Sequence, residues 1–184
     1  MVTLTSGRPR IVRKEPPPMM SGSRGYLRAR EPLRRDFERR CAYCMIHERQ
    51  VDHEEGFWID HFRPKSKGGR VNHYANLYWA CIACNHTKGD TWPSADQRAR
   101  GFRFADPCAE QDYGWHFVED ERGYLAAQTP CGEYHLLKLR LNRESRVKRR
   151  RERSERAAKL EEALMLARSL ENRLLAPAER QALE

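Results

Sequence analysis

The sequence predicts an α+β fold: a small ββα core closed by four cysteines, with a basic arm before it and a long helix after it. Three observations lead there. Two Cys-x-x-Cys pairs, Cys41/Cys44 and Cys81/Cys84, are separated by thirty-six residues. Between and just after them the punctuation reads strand, loop, strand, helix. From residue 143 to Pro177 no Gly or Pro interrupts a strongly helix-favouring composition.

Each element follows from local chemistry. Residues 1–27 hold Gly7, Pro9, the Pro16-Pro17-Pro18 triplet, Gly22 and Gly25 among arginines. That mixture has too little apolar surface to offset ordering, so a flexible basic arm is expected. The domain expected at 28–101 begins with a short helix over 28–40, where Leu33 and Phe37 sit four apart among charges and Pro32 suits a first turn. Phe-Trp-Ile-Asp-His-Phe, ending at Phe62, is aromatic and β-branched enough for a strand. Pro64, Gly68 and Gly69 then impose a loop, 77–80 gives a second strand, and 82–88 forms a helix that Gly89 stops. Residues 102–142 carry Pro107, Gly114, Gly123, Pro130 and Gly132, which predicts strands and turns packed on the core. The last domain, 143–184, is a basic and amphipathic helix, with Ala157, Leu160, Leu164, Ala167, Leu170 and Leu174 at three- and four-residue steps and its end at Pro177.

The composition bounds the function. One-third of the 184 residues are charged, 39% are apolar and the mean hydropathy is −0.91, so the core is modest and something besides burial must hold the fold. The net charge is +9. Residues 1–40 and 138–156 together hold +14, leaving about −5 for the rest. Basic flanks around a mildly acidic centre suit a protein that grips phosphates outside and keeps carboxylates within. With no apolar run near the ~20 residues of a membrane span and no secretion signal, a soluble cytoplasmic protein is expected, in which cysteines are metal ligands or buried thiols.

Two thiolates from each pair fill the tetrahedral shell of one Zn²⁺ at Cys41, Cys44, Cys81 and Cys84. With no open position left, the site is structural. The alternative is two unrelated thiol pairs or one redox motif. Cys108 and Cys131 have no such partners and read as buried thiols.

Between the pairs lies Ile59-Asp60-His61-Phe62-Arg63-Pro64-Lys65-Ser66-Lys67-Gly68-Gly69, followed by Asn76-Leu77 and then Cys81-Ile82-Ala83-Cys84-Asn85-His86-Thr87-Lys88. Over about residues 41–89 this resembles the HNH endonuclease family. Its ββα-metal fold carries an Asp-His pair on the first strand, an Asn before the second, and a His or Asn on the helix. Here the third position is Asn85, so the pattern is His-Asn-Asn. Residues 104–143 also resemble an extension found in some bacterial HNH proteins. The resemblance implies a metal-dependent endonuclease acting on nucleic acid, DNA foremost, leaving a 5′-phosphate and a 3′-hydroxyl. It implies one divalent ion, Mg²⁺ or Mn²⁺, held by Asp60 and Asn85, with His61 as general base and Asn76 as the brace that orients it.

The residues support that chemistry on their own terms. A histidine with an ordinary pKa near ~6.5 is neutral at cellular pH and can take a proton from water. Mg²⁺ accepts few protein ligands, so one carboxylate and one amide oxygen beside a substrate phosphate suffice. Asp60 alternates to the strand face opposite His61, so a kink must bring its carboxylate to the metal. Arg63, Lys65 and Lys88 are candidates for phosphate contact. Lys148, Arg149, Arg150 and Arg151 are either a further grip or a solvated helix face. His53, His73 and His86 are single histidines, each a ligand candidate or a surface side chain. Trp58, Tyr78 and Trp79 either stack on bases or pack the core.

Two rival readings accompany the nuclease. One is a non-catalytic zinc-stapled nucleic-acid-binding subunit. The other gives the C-terminal helix a protein partner, such as an ATPase, in a bacterial antiphage defence or mobile-element system. That second reading is compatible with nuclease activity.

Overall fold

The structure is a computed structural model that describes residues 10–14, 17–51, 53–110 and 113–181. Of the expected arm, residues 1–9, 15 and 16 lie outside the described residues, as do 182–184 of the terminal helix. The chain divides into two units, residues 1–120 with 125–142, and residues 121–124 with 143–184.

The first unit is built on an antiparallel hairpin. β1, Phe57–His61, pairs with β2, Leu77–Cys81, in a register from Phe57↔Cys81 to His61↔Leu77 without interruption. All five β2 residues are buried, because elements cover both faces of the hairpin. One cover is α1, Arg30–Asp36, entered through a 3₁₀ turn, Gly25–Ala29. The other is α2, Ile82–Lys88, which follows β2 directly and ends at Gly89, whose φ of 45° most side chains would resist. The core runs through Leu33, Phe37, Tyr43, Phe57, Leu77, Tyr78 and Trp79, with Phe57 stacked on Trp79 at 5.4 Å and Phe62 on Tyr78 at 4.6 Å.

The connection between β1 and β2 is short of regular structure but not loose. A Cβ on Gly69 would lie 1.8 Å from the Arg63 carbonyl oxygen, so only glycine lets this loop close. Its two ends are tied by the Phe62 N–H, which donates to the Asn76 carbonyl at 2.9 Å.

The described part of the N-terminal arm departs from the flexible segment expected there. Ile11 N–H donates to Pro107 O at 2.8 Å, and Lys14 N–H to Asp36 Oδ1 at 2.9 Å. Arg13 donates to Leu77 O at 2.9 Å, while its guanidinium sits 5.0 Å from the ring centres of Tyr74 and Tyr78 and 5.3 Å from that of Phe37. A planar cation over three aromatic rings anchors a strap that composition alone marks as disordered.

The extension places Phe104, Tyr134, Leu139 and Leu141 in the same core cluster. It holds a two-stranded ribbon, β3 Phe117–Glu119 against β4 Leu125–Ala127. It also holds a nine-residue helix where turns were expected; after the short α3, Ala95–Ala99, this is α4, Pro130–Lys138. Thr129 caps it by accepting the Gly132 N–H, and Pro130 occupies the first turn. The Pro is a helix starter here, and Gly132 is needed because a Cβ would lie 2.3 Å from His116 O.

In the second unit, α5 spans Glu144–Gln181 and runs through Pro177, the expected end. An interior proline removes one hydrogen bond and crowds the preceding turn, which ordinarily kinks or breaks a helix, yet the backbone here stays helical to Gln181. Arg150 Nε donates to Gly123 O at 2.6 Å, and Leu160, Leu164, Met165, Leu166 and Leu170 are all exposed. Among the described residues, no helix is long and apolar enough to cross a membrane.

Candidate active site and metal centre

The four cysteines converge. Cys41 and Cys44 lie in the loop after α1, Cys81 ends β2, and Cys84 sits in the first turn of α2. Their sulfurs all lie within 4.8 Å of one another, with Cys44 and Cys81 at 3.8 Å. Zinc–sulfur bonds of 2.3 Å in a tetrahedron put sulfurs about 3.8 Å apart, so the cluster has the size of a Zn²⁺ site. Burial pushes the Cys41 and Cys84 thiols well above their ordinary pKa; the neighbouring thiols add to this at Cys41, whereas at Cys84 the hydrogen bond with Cys41 opposes the rise that Cys44 and Cys81 reinforce. A dication in their midst reverses that preference, because it stabilises thiolates. The Tyr43 N–H, 3.4 Å from Cys41 Sγ, adds a hydrogen bond from outside the cluster.

His61 ends β1 and is 9% exposed. Its Nε2 lies 2.9 Å from Val71 O. A carbonyl only accepts, so Nε2 carries the proton and Nδ1 keeps the lone pair. Burial lowers the His61 pKa; the Val71 carbonyl opposes this, while Lys65 and Lys88 reinforce it. The imidazole is therefore neutral at pH 7 and has one basic nitrogen. Tyr26, from the 3₁₀ turn before α1, meets the ring edge-on at 5.1 Å, and Lys65 lies 4.6 Å from the Tyr26 ring centre.

Asn76 precedes β2 and spends its whole amide on the loop. Its Oδ1 accepts from Arg63 N at 2.9 Å, and its Nδ2 donates to Arg63 O and Arg70 O, both at 3.1 Å. The loop it cross-links includes Val71, the residue that anchors His61.

Asp60 is not where a kinked strand would put it. The β1 register continues through His61 without a bulge, and the Asp60 carboxylate is buried. Lys88 Nζ lies 2.9 Å from Oδ2 and 3.2 Å from Oδ1, and the Tyr43 hydroxyl also donates to Oδ2. Burial pushes the Asp60 carboxyl up, against the opposing pull of Lys88 and Tyr43. Lys88, expected to meet phosphate, is 1% exposed and also donates to His61 O at 2.9 Å. Its ammonium neutralises Asp60 and ties α2 to β1, which removes it from the surface.

Asn85 lies in α2, next to Cys84, and is half-buried; among the described residues its side-chain amide makes no hydrogen bond. The donor types for one hard cation are thus present, an amide oxygen and a carboxylate. The carboxylate currently serves a buried ammonium, so the fit requires Lys88 to yield Asp60.

The remaining candidates separate clearly. Arg63 and Lys65 are exposed, Arg63 with its Nε on Lys67 O at 2.6 Å. Lys148, Arg149 and Arg151 are exposed and Arg150 is half-buried, with Arg151 3.7 Å from Glu155. His53, His73 and His86 are all exposed. Tyr78 and Trp79 are core residues, whereas Trp58 is 45% exposed and edge-on to His86 at 5.1 Å.

Three contributors escaped the sequence reading: Tyr26 against His61, Tyr43 on Asp60, and a cluster of Glu110, His116 and Cys131. Tyr43 lies between the first two cysteines, which was a usable hint. The others carry no local signal. No curated protein matches the chain. Residues 41–91 match the family model HNH endonuclease, and this segment, with its ββα order and converged cysteines, is an HNH domain.

Proposed function

We propose that the chain is a metal-dependent endonuclease that hydrolyses phosphodiester bonds, with DNA as its main substrate and His61 as the general base. The observation that carries this reading is the anchoring of His61. Val71 O holds Nε2 at 2.9 Å and so leaves Nδ1 as the basic atom. Asn76 fixes the loop that supplies that carbonyl, so the brace and the base act as one assembly.

In the proposed reaction Nδ1 takes a proton from a water molecule as its oxygen bonds to phosphorus. The bond from phosphorus to the 3′-oxygen breaks, leaving a 5′-phosphate, and the departing oxygen takes a proton from solvent. Asp60 and Asn85 would hold Mg²⁺ or Mn²⁺, whose charge would stabilise the leaving oxygen. Depressed basicity costs His61 some driving force but keeps it in its proton-accepting form at neutral pH. Arg63 and Lys65, both exposed beside the loop, would contact the nucleic-acid backbone, as would the basic start of α5. The four-cysteine Zn²⁺ site would hold α2, and so Asn85, against the strand that carries His61.

A rival reading, a zinc-stapled binding subunit without chemistry, draws on the occupied Asp60 carboxylate. The exposed Leu160, Leu164 and Leu170 favour a protein partner for α5, an ATPase of a defence system being one form of it. The deciding experiment incubates the full chain with supercoiled plasmid, linear duplex, single-stranded DNA and RNA, each with Mg²⁺, Mn²⁺ or chelator. Nicking of DNA that needs metal supports the nuclease, and binding without cleavage under every condition supports the rival.

A further inference from the structure

In the extension, outside the HNH segment, Glu110, His116 and Cys131 bring one ligand atom each within 4.8 Å of the others. We propose that these side chains form a second metal site, separate from the four-cysteine cluster, that takes a zinc-type divalent cation. His116 and Cys131 are each 4% exposed, and the Glu110 side chain 13%. The ligands come from three pieces of chain: a turn after Pro107, the end of the 3₁₀ turn Tyr113–His116, and the first turn of α4. They meet because Gly132 lets α4 approach the His116 backbone, where a Cβ would lie 2.3 Å from the carbonyl oxygen.

The atoms that would not bind the ion are already held. Glu110 Oε1 accepts from the Arg103 guanidinium and from Asp106 N at 3.3 Å, which leaves Oε2 facing His116 Nε2 at 2.7 Å. His116 Nδ1 lies 2.7 Å from Thr129 Oγ1, and that oxygen is fixed by the Gly132 N–H at 3.0 Å. With Nε2 on a metal, Nδ1 carries the proton and donates to this hydroxyl. That is the outer hydrogen bond a ligating imidazole ordinarily makes.

The donor set selects the ion. A thiolate, an imidazole and a carboxylate match Zn²⁺ and its softer neighbours and disfavour Mg²⁺ or Ca²⁺, which take oxygen. On binding, the Cys131 thiol gives up its proton to solvent. His116 loses to solvent the Nε2 proton that meets the Glu110 carboxylate in the free chain while Nδ1 takes one up, so the ring stays neutral and the thiolate and carboxylate balance the two positive charges. Three protein ligands leave one tetrahedral position for water.

The test is metal stoichiometry on the full chain, loaded with zinc and dialysed. We expect the zinc content to fall by one equivalent per chain in Cys131→Ser and, separately, in His116→Asn, with circular dichroism unchanged. Cobalt(II) substitution gives a second reading. Sulfur-to-cobalt charge-transfer absorption should drop by about a fifth in Cys131→Ser, because four thiolates remain of five. A wild-type chain that retains one zinc, or a content unchanged in both variants, overturns the site.

Discussion

His135 ties the acid stability of the fold to one buried ring. It is fully buried in α4; its Nδ1 accepts from Ala105 N at 3.1 Å and its Nε2 donates to Tyr43 O at 2.9 Å. Both nitrogens are therefore committed to the neutral tautomer, and a second proton would set an N–H against the Ala105 N–H. Burial lowers the pKa to about 4, whereas an unfolded histidine titrates near ~6.5. A depressed folded pKa means that the unfolded chain binds the extra proton first. Stability is intact above about pH 6.5 and is lost as the pH falls towards 4. Between pH 7 and pH 4.5 this one group should remove about 2 kcal/mol. Urea unfolding of the wild type and of His135→Gln at both pH values isolates the effect, because zinc release and carboxylate protonation are common to the two proteins. The wild type should lose about 2 kcal/mol more than the variant. Equal losses would refute the reasoning.

Replacing Lys88 by Met should strand the buried Asp60 carboxylate and cost about 3–5 kcal/mol, read by chemical denaturation, while an added Asp60→Leu should recover much of it. Replacing Cys81 by Ser should abolish the four-cysteine zinc and unfold the HNH segment; folded, zinc-free protein by elemental analysis and circular dichroism would contradict this. Neutralising Lys148 and Arg149 should weaken binding to every duplex sequence and flatten the logarithmic salt slope by up to about 1.8, and an unchanged slope would assign these charges to solubility. The cleavage rate should rise with pH through a midpoint below ~6.5, since the lowered His61 pKa keeps the base neutral to more acid conditions. A midpoint above that value would point to another group.

The parts of the fold legible in the sequence are those where signals are local. The cysteine pairs, the aromatic run of β1, the Leu77 strand and the helix stopped by Gly89 each rest on a few adjacent residues. Helix α4 was missed because Pro130 and Gly132 have two meanings. A Pro after a Thr starts a helix as readily as it breaks one, and Gly132 serves contact with His116 rather than a turn. The fate of charged side chains was the least legible. Nothing near Lys88 in sequence reveals that its ammonium lies 2.9 Å from an Asp60 oxygen twenty-eight residues away, or that Arg13 stacks on three rings. Both are pairings between distant segments, decided by tertiary packing after the backbone is set.

The same packing bears on Asp60. Periodicity correctly sets it on the face opposite His61 and asks for a kink to bring it round, yet the strand stays regular and a buried lysine takes the carboxylate instead. A metal ligand and a salt-bridge partner make the same demand on a carboxylate, which is a fixed positive charge nearby. Sequence pattern alone does not separate them.

The central claim is that His61 activates water. Its most direct test is single-turnover cleavage of DNA by the wild type and by His61→Ala at saturating Mg²⁺, with DNA affinity measured in parallel. The account predicts that affinity is kept while cleavage falls by at least the ~10²–10⁴-fold of general-base loss, with no recovery in Mn²⁺. Undiminished cutting by His61→Ala would contradict it and move the base elsewhere, with the exposed His86 and His73 first to be tested.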